Sequence, residues 1–476
     1  MNTVQKRKMK TIGIIGAGAG GLCALRQVLS EEQFTPLIWE QADEVGGTWI
    51  YTPDIEKDEY GYPIHSSMYK NLLTNLPKEV MAFPDFPFKE GEKSFIHHTE
   101  VLQYLKDYAD HFKLIPWIKF RHRIELVEPV DPNNRYTKWR ITVKNLKDGS
   151  SSVSEYDAVI VCNGHYFEPR YPDIDDLELF KGKKLHSHSY RIPDDYHGTK
   201  TVVLGASASG LDIALELAKV AEKVYLSHNH PFPFPSKLPP NVFQVKGVKG
   251  AKENGFELKD DTFIEADAII YCTGYEYVFP FLSSSCNITV EDNQVKTLYK
   301  HMINSAFPTM SFIGIPFQIC PFPLFDVQAQ YIVQLIEGNI QMPLHDDVVK
   351  EMEQSSIPKK HYHKLGIFGK QQMYLEDLQR EMKVGHLPQF YHQIPKIVIL
   401  RLFFSLMDFK KFNYSTKEIN DGEIQIEERL DGQVRNSKLD LIVIVCKRLF
   451  VLVVFNFPSL VKTVYSLGLK GMCKFF

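Results

Sequence analysis

The chain has 476 residues, 44% hydrophobic and 24% charged, with a net charge of −3. That length allows two or three domains with sizeable cores, and the near-neutral charge removes the electrostatic case for nucleic acid as a partner. Seven scattered cysteines form no C-x-x-C pair, which excludes a redox dithiol or disulfide framework and points to a reducing, cytoplasmic setting.

The basic N-terminus, MNTVQKRKMK, runs straight into an apolar strand with no separate apolar region or cleavage site, so it reads as a solvated tail. Residues 11–16 (TIGIIG) predict a buried strand, 20–29 a helix and 36–40 (PLIWE) a second strand. Residues 138–144 (KWRITVK), with the turn-like Asp148-Gly149-Ser150, predict an antiparallel hairpin. An apolar strand at 157–164 (DAVIVCNG) closes the unit. The same plan returns at 201–205 (TVVLG), 210–220 and 223–227 (KVYLS), and closes at 267–274 (DAIIYCTG). Two matching units predict an α/β protein with two dinucleotide-binding (Rossmann-like) domains, the first carrying a large insertion.

The first helix opens on Gly16-Ala17-Gly18-Ala19-Gly20-Gly21, a G-x-G-x-x-G turn. Gly16 permits the bend, Gly18 lets a pyrophosphate approach the backbone, and Gly21 lets the helix pack on the strand. The helix N-terminus adds N–H donors and a positive dipole. Glu40 ends the next strand about twenty residues later, where a carboxylate accepts hydrogen bonds from ribose hydroxyls. Such a glycine motif is common by itself, but the complete unit with Glu40 indicates a bound dinucleotide. Val45-Gly46-Gly47-Thr48-Trp49 follows, which residue by residue could be only a flexible loop with a core tryptophan.

The second turn, Gly205-Ala206-Ser207-Ala208-Ser209-Gly210, has serine in place of the middle glycine. The position matching Glu40 is Asn229, within Ser227-His228-Asn229-His230, so no acid stands there to repel a 2′-phosphate. NADPH is therefore expected over NADH, with Ser227, His228 and Lys237 as candidate phosphate partners.

Three stretches, GG-x-W at 46–49, MYKNLLTNLPKEVMAFPDFPF at 68–88 and the F-x-G-x-x-x-H-x-x-x-[FWY] pattern from Phe180 to Tyr190, together resemble the flavin-containing monooxygenase family. The resemblance covers roughly residues 11 to 395 and looks nearest to the insect-type branch, which includes pyrrolizidine alkaloid (senecionine) N-oxygenases. It implies FAD on the first unit, at Gly16, Gly18, Gly21, Glu40, Gly47, Trp49, Asn75 and Gln328. It implies NADPH on the second, at Gly205, Ser207, Ser209, Gly210, Ser227, His228 and Tyr190. Asn75, in the T-N-x-P-K stretch, is the catalytic residue that the resemblance implies, a neutral amide aimed at flavin and nicotinamide. His186 of the fingerprint is expected to organise the cleft without acting as acid or base. The implied reaction is an N,N-dimethylaniline-type monooxygenation. NADPH reduces FAD, O2 gives a flavin C4a-hydroperoxide, and a small-molecule nitrogen or sulfur nucleophile becomes an N-oxide or S-oxide. No metal is called for.

A Baeyer–Villiger monooxygenase shares these cofactors, but that family's fingerprint usually ends in Trp-Pro where this chain has Tyr190-Arg191. A disulfide reductase lacks its cysteine pair here, and a flavoprotein without turnover is hard to reconcile with the intact Asn75 stretch. The expected division is 1–168 for the first part of the FAD domain, 169–283 for an inserted, smaller NADPH domain, 284–395 for the second part, and 396–476 for an extension without α/β rhythm. In that extension 439–457 is apolar but broken by Lys447-Arg448. It reads either as a peripheral contact with the endoplasmic reticulum membrane or as a buried strand pair.

Overall fold

The computed structural model describes residues 9–230, 233–366, 369–420 and 423–435. The expected 439–457 segment lies outside the described residues.

The apolar run Lys10–Ile15 is buried on both faces, as strands inside a parallel sheet must be. It lies at the centre of a seven-stranded sheet. Phe34–Glu40 and then Ile118–Phe120 pair on one side of it. Ala158–Val161, Met310–Phe312, Ile303–Asn304 and Leu298–Tyr299 follow on the other. The five strands from Ile118–Phe120 to Met310–Phe312 are parallel, and the last two pair antiparallel. Helix Ala19–Leu29 covers one face and packs on helix Pro321–Glu337, where Asp326 accepts a 2.7 Å hydrogen bond from Gln27. Late residues thus return to the first sheet.

The predicted hairpin forms. Trp139–Asn145 pairs antiparallel with Ser151–Tyr156, and His122–Pro129 completes a three-stranded sheet. Trp139 is fully buried beneath the first sheet's other face, its indole N–H donating to Thr309 Oγ1 at 3.0 Å.

A second, five-stranded parallel sheet runs Val242–Lys246, Lys223–His228, Lys200–Leu204, Ala268–Tyr271 and Lys183–His186. It is built from chain lying between two strands of the first sheet, so the smaller unit is inserted in a discontinuous larger one. The chain crosses between them twice, and the crossings pair: Glu168–Pro169 lies antiparallel to Tyr275–Glu276. Because each crossing follows a strand's carboxyl end, the pairing brings the carboxyl edges of both sheets together, where α/β folds bind ligands.

Beyond the two units, helix Phe390–Phe404 and strands Asn413–Asn420, Glu423–Leu430 and Gln433–Arg435 form a strap. Its order rests on a buried fork: Arg401 Nε and a terminal nitrogen donate to the two oxygens of Glu428 at 3.0 and 2.7 Å. Arg401 is 2% exposed and also lies 4.0 Å over the Phe412 ring. Removing either partner would strand a buried charge.

Candidate functional site

Both glycine turns have the same internal geometry. Gly16 (φ +94°) and Gly205 (φ +114°) occupy backbone conformations that side chains rarely adopt. A Cβ on Gly21 would run into the carbonyl oxygen of Gly16, and one on Gly210 into that of Gly205. The helices that follow, Ala19–Leu29 and Ala208–Leu217, have neither a side-chain cap nor an acid in their first turn. Their leading N–H groups are therefore available to an anion, which fits a pyrophosphate at each turn.

The two ends differ. Glu40 accepts from Ala17 N at 2.6 Å and Ala42 N at 2.8 Å, and burial nevertheless pushes its carboxyl above the usual range. A half-buried carboxylate beside the first turn suits hydroxyl donors from a ribose. Gly47 (φ +57°) lies against Gly18: a Cβ on it would come 3.0 Å from the Gly18 Cα. The chain therefore passes close over the first turn, and Trp49 meets Phe322 edge-on at 6.4 Å. At the second turn Ser207 is exposed and Ser209 half-buried. Asn229, exposed, projects its side chain over Gly247, and no acid replaces it.

Four residues expected to touch cofactors have side chains turned into the protein. Tyr190 is fully buried and its hydroxyl donates to Glu216 at 2.9 Å. Ser227 is fully buried and donates to the Lys246 carbonyl at 2.9 Å. Gln328, also fully buried, accepts from Gly314 N at 3.1 Å and donates to the Tyr374 hydroxyl at 2.8 Å. His228 is 8% exposed with both ring nitrogens engaged, by His230 N and by Gln244 Oε1. Each supports a loop or strand from behind, because its polar atoms are already satisfied inside the protein. Lys237 is exposed.

Where the chain crosses between the two units, aromatic rings cluster. His165 and Tyr166 follow the first sheet's closing strand, and Tyr275 follows the second's; Tyr166 and Tyr275 meet at 5.5 Å. Tyr166 is 47% exposed, yet desolvation pushes its hydroxyl up to about 12. His65 is likewise exposed, yet desolvation, helped by His188, holds it down at about 4. His165, which bonds the Gly314 carbonyl through Nδ1 at 2.8 Å, is held at about 4 by the same cause. These three rings are thus uncharged at neutral pH. His186 is buried, accepts from His188 N at 3.1 Å and is also held at about 4.

Asn75 is half-buried, and among the described residues its amide has no hydrogen-bond partner. Its loop is nonetheless clamped. Thr74 N donates to the Ile96 carbonyl at 2.9 Å, Ile96 N returns a bond to Thr74 Oγ1, and Lys70 N donates to the Arg191 carbonyl at 2.9 Å. Arg191 is the strongest feature that motif reading passed over. Its five N–H donors reach five main-chain carbonyls, those of Thr52, Asp54, Ser66, His188 and Tyr190, at 2.7–3.2 Å. One guanidinium therefore staples the segment after Trp49 to the linker of the inserted unit. Its only sequence signal was its place at the end of the fingerprint.

This fold and site define a protein with two dinucleotide-binding turns on two sheets joined by paired crossings. The family described as "FMO-like: Flavin-binding monooxygenase-like" matches residues 9–231 and 234–414. A "Flavin-containing monooxygenase FMO GS-OX-like 7" of Arabidopsis thaliana is 37% identical over 386 residues, which covers 76% of this chain and 82% of that protein. The solved S-allyl-L-cysteine S-oxygenase of Allium sativum has a TM-score of 0.78 and 34% identity, covering 84% of this chain and 95% of its own. Tmm from Pelagibacter sp. strain HTCC7211, at 24% identity and a TM-score of 0.76 over 87% of this chain and 95% of its own, shares the fold. The chain belongs to the flavin-binding monooxygenase-like family, and it is a flavoprotein monooxygenase that uses FAD and NADPH. These relatives are plant and microbial proteins and not of the insect-type branch that the motifs led us to expect.

Proposed function

We propose that the chain transfers one oxygen atom from O2 to a soft, uncharged sulfur or nitrogen nucleophile of a small molecule. The observation that carries this reading is the pair of dinucleotide turns, Gly16–Gly21 with Glu40 beside it and Gly205–Gly210 with no acid beside it, in a chain of the flavin-binding monooxygenase-like family. Where the chain crosses between the two units, His65 and His165, held at about 4, and Tyr166, at about 12, are uncharged rings, and a thioether or free amine meets such rings at little desolvation cost. It needs no general base, because its lone pair is already available. Bound FAD supplies the redox chemistry, taking a hydride from NADPH and reducing O2. In this reading the Gly16–Gly21 turn, Glu40 and Gly47 hold FAD, and the Gly205–Gly210 turn holds NADPH. Asn75 donates a hydrogen bond toward the reacting oxygen, and the aromatic rings exclude water.

Sulfur and nitrogen are both kept as acceptors. The Allium relative's title names an S-oxygenase, whereas the motif resemblance is to N-oxygenases, including N,N-dimethylaniline-type activity. The test is product formed per NADPH consumed with an aryl thioether, N,N-dimethylaniline and cyclohexanone. Sulfoxide or N-oxide supports the reading. Lactone from cyclohexanone with no heteroatom product would move the chain to Baeyer–Villiger chemistry.

The localisation we propose is cytoplasmic, with peripheral contact to the endoplasmic reticulum membrane through the apolar residues 439–457. Fractionation of the full chain against one ending at residue 435 tests this, and identical soluble distribution of the two would overturn it.

A further inference from the structure

The polar face of helix Ala208–Leu217 is gripped from three separate parts of the chain. Asp212 and Glu216 stand one turn apart on it, so their carboxylates share a face. Tyr69, on the loop that leads to Asn75, donates its hydroxyl to Asp212. Tyr190 of the linker donates to Glu216 at 2.9 Å. Lys410 of the C-terminal strap donates to the other Asp212 oxygen at 2.8 Å, and at 3.0 Å to the carbonyl of Leu73, two residues before Asn75. The Lys410 and Asp212 side chains are each 16% exposed, so solvent screens this pair less than a surface one.

The strap is anchored on both sides of this link. Toward the first unit, Ser94 N donates to Asn413 Oδ1 at 3.0 Å and Tyr414 N to Ser94 Oγ at 2.7 Å. Toward the inserted unit, Leu406 N donates to Ser236 Oγ at 2.8 Å, and Phe403 stacks on Phe234 at 5.1 Å. Lys410 therefore sits where a rigid strap crosses between the units. It joins the loop that presents the Asn75 amide to the helix that opens the second glycine turn.

We propose that Lys410 is a positioning residue. Its ammonium holds the Asn75 loop at a set distance from the NADPH-side helix, and so makes oxygen transfer efficient relative to wasteful NADPH oxidation. This rests on the monooxygenase reading above. It gives the C-terminal extension a part in catalysis through Leu73 and Asp212, without contact with substrate.

The test compares Lys410→Met with the wild type and with Lys411→Met, whose ion pair is with the exposed Asp408. Hydrogen exchange across residues 70–78, NADP+ affinity by equilibrium titration, and product per NADPH are measured alongside FAD content. Loss of one charged hydrogen-bond pair should speed exchange and weaken NADP+ by about tenfold, with more hydrogen peroxide released. FAD should stay bound, Lys411→Met should match wild type, and Lys410→Arg should restore part of the protection. Should Lys410→Met lose FAD, the milder Asp212→Asn carries the same expectations. Wild-type exchange and NADP+ affinity in Lys410→Met, or equal changes in Lys411→Met, would overturn the proposal. Exchange and titration need no turnover, so failure of the wild type to oxygenate any substrate would count against the proposed reaction alone.

Discussion

Gly16–Gly21 and Gly205–Gly210 are the same backbone device with different chemistry at its rim. Both bend at a glycine of positive φ, and both need a second glycine because the helix passes against the carbonyl of the first. At the first turn Gly18 sits beneath Gly47, and Glu40 reaches back to Ala17 N. At the second, Ser207 faces out with an extended backbone (φ −95°) and no capping bond, and Asn229 stands in the acid's place. The shared features concern how a strand turns into a helix and so apply to any dinucleotide. The features that differ stand at the rim, a carboxylate at the first turn and no acid at the second, the difference expected between a ribose partner and a 2′-phosphate.

The largest way to break the comparison is at the helix glycines. Gly21→Ala and Gly210→Ala each force a methyl into a carbonyl oxygen, at about 3 kcal/mol or more, over a hundredfold in affinity. Gly21→Ala should lose FAD, read as flavin absorbance per protein. Gly210→Ala should keep FAD and lose NADPH. Equal loss of flavin in both would mean that the units do not hold separate cofactors.

Next in size, Asn75→Ala or Asp should leave FAD bound and cost on the order of 2–4 kcal/mol of oxygen-transfer efficiency, by analogy with loss of an aimed donor. Asp should be the worse, since a fixed negative charge opposes a reduced oxygen species. The measurement is product per NADPH consumed, and full coupling in either variant would make Asn75 a packing residue.

Acid should strain both units through His165 and His186, each held at about 4 by burial. Their folded pKa lies below the ordinary value near 6.5, so the folded state binds fewer protons than the unfolded chain. Stability is complete above pH 6.5 and is lost as pH falls toward 4, by about 2–3 kcal/mol for the buried His186. His186→Asn should flatten that limb in a melting-temperature series from pH 8 to 4.5; an unchanged slope would count against it.

Smaller effects belong to the rim. Asn229→Asp should weaken NADPH more than NADH, by about 1–2 kcal/mol of repulsion, and equal loss of both would exclude Asn229 from the 2′-phosphate site. Ser207→Gly should copy the first turn into the second and change NADPH affinity by less than about 0.5 kcal/mol, as expected for an exposed residue without bonds. A large gain would show that the serine opposes the pyrophosphate.

The two units were readable from sequence because their signals are local. Buried parallel strands are unbroken apolar runs, and a glycine turn is set by its own carbonyl. Strand Ala158–Val161 and its counterpart Ala268–Tyr271 fell within the predicted closings for that reason. The site was only partly readable. Tyr190, Ser227, His228 and Gln328 sit in the right motifs, yet motif position does not say which way a side chain points, and all four turn inward.

Sequence by itself determined the class of fold, the two nucleotide turns and the loop that carries Asn75, since each depends on residues adjacent in the chain. Tertiary structure alone decided the cluster of uncharged rings at the crossings, the five-carbonyl staple of Arg191 and the Lys410 link. These join segments far apart in the chain, as Lys410 does with Leu73 and Asp212. A lysine beyond residue 400 has the same composition and local pattern whether water surrounds it or a carboxylate and a carbonyl accept its hydrogen bonds. Only the packing of the strap across both units, which removes that water, distinguishes the two.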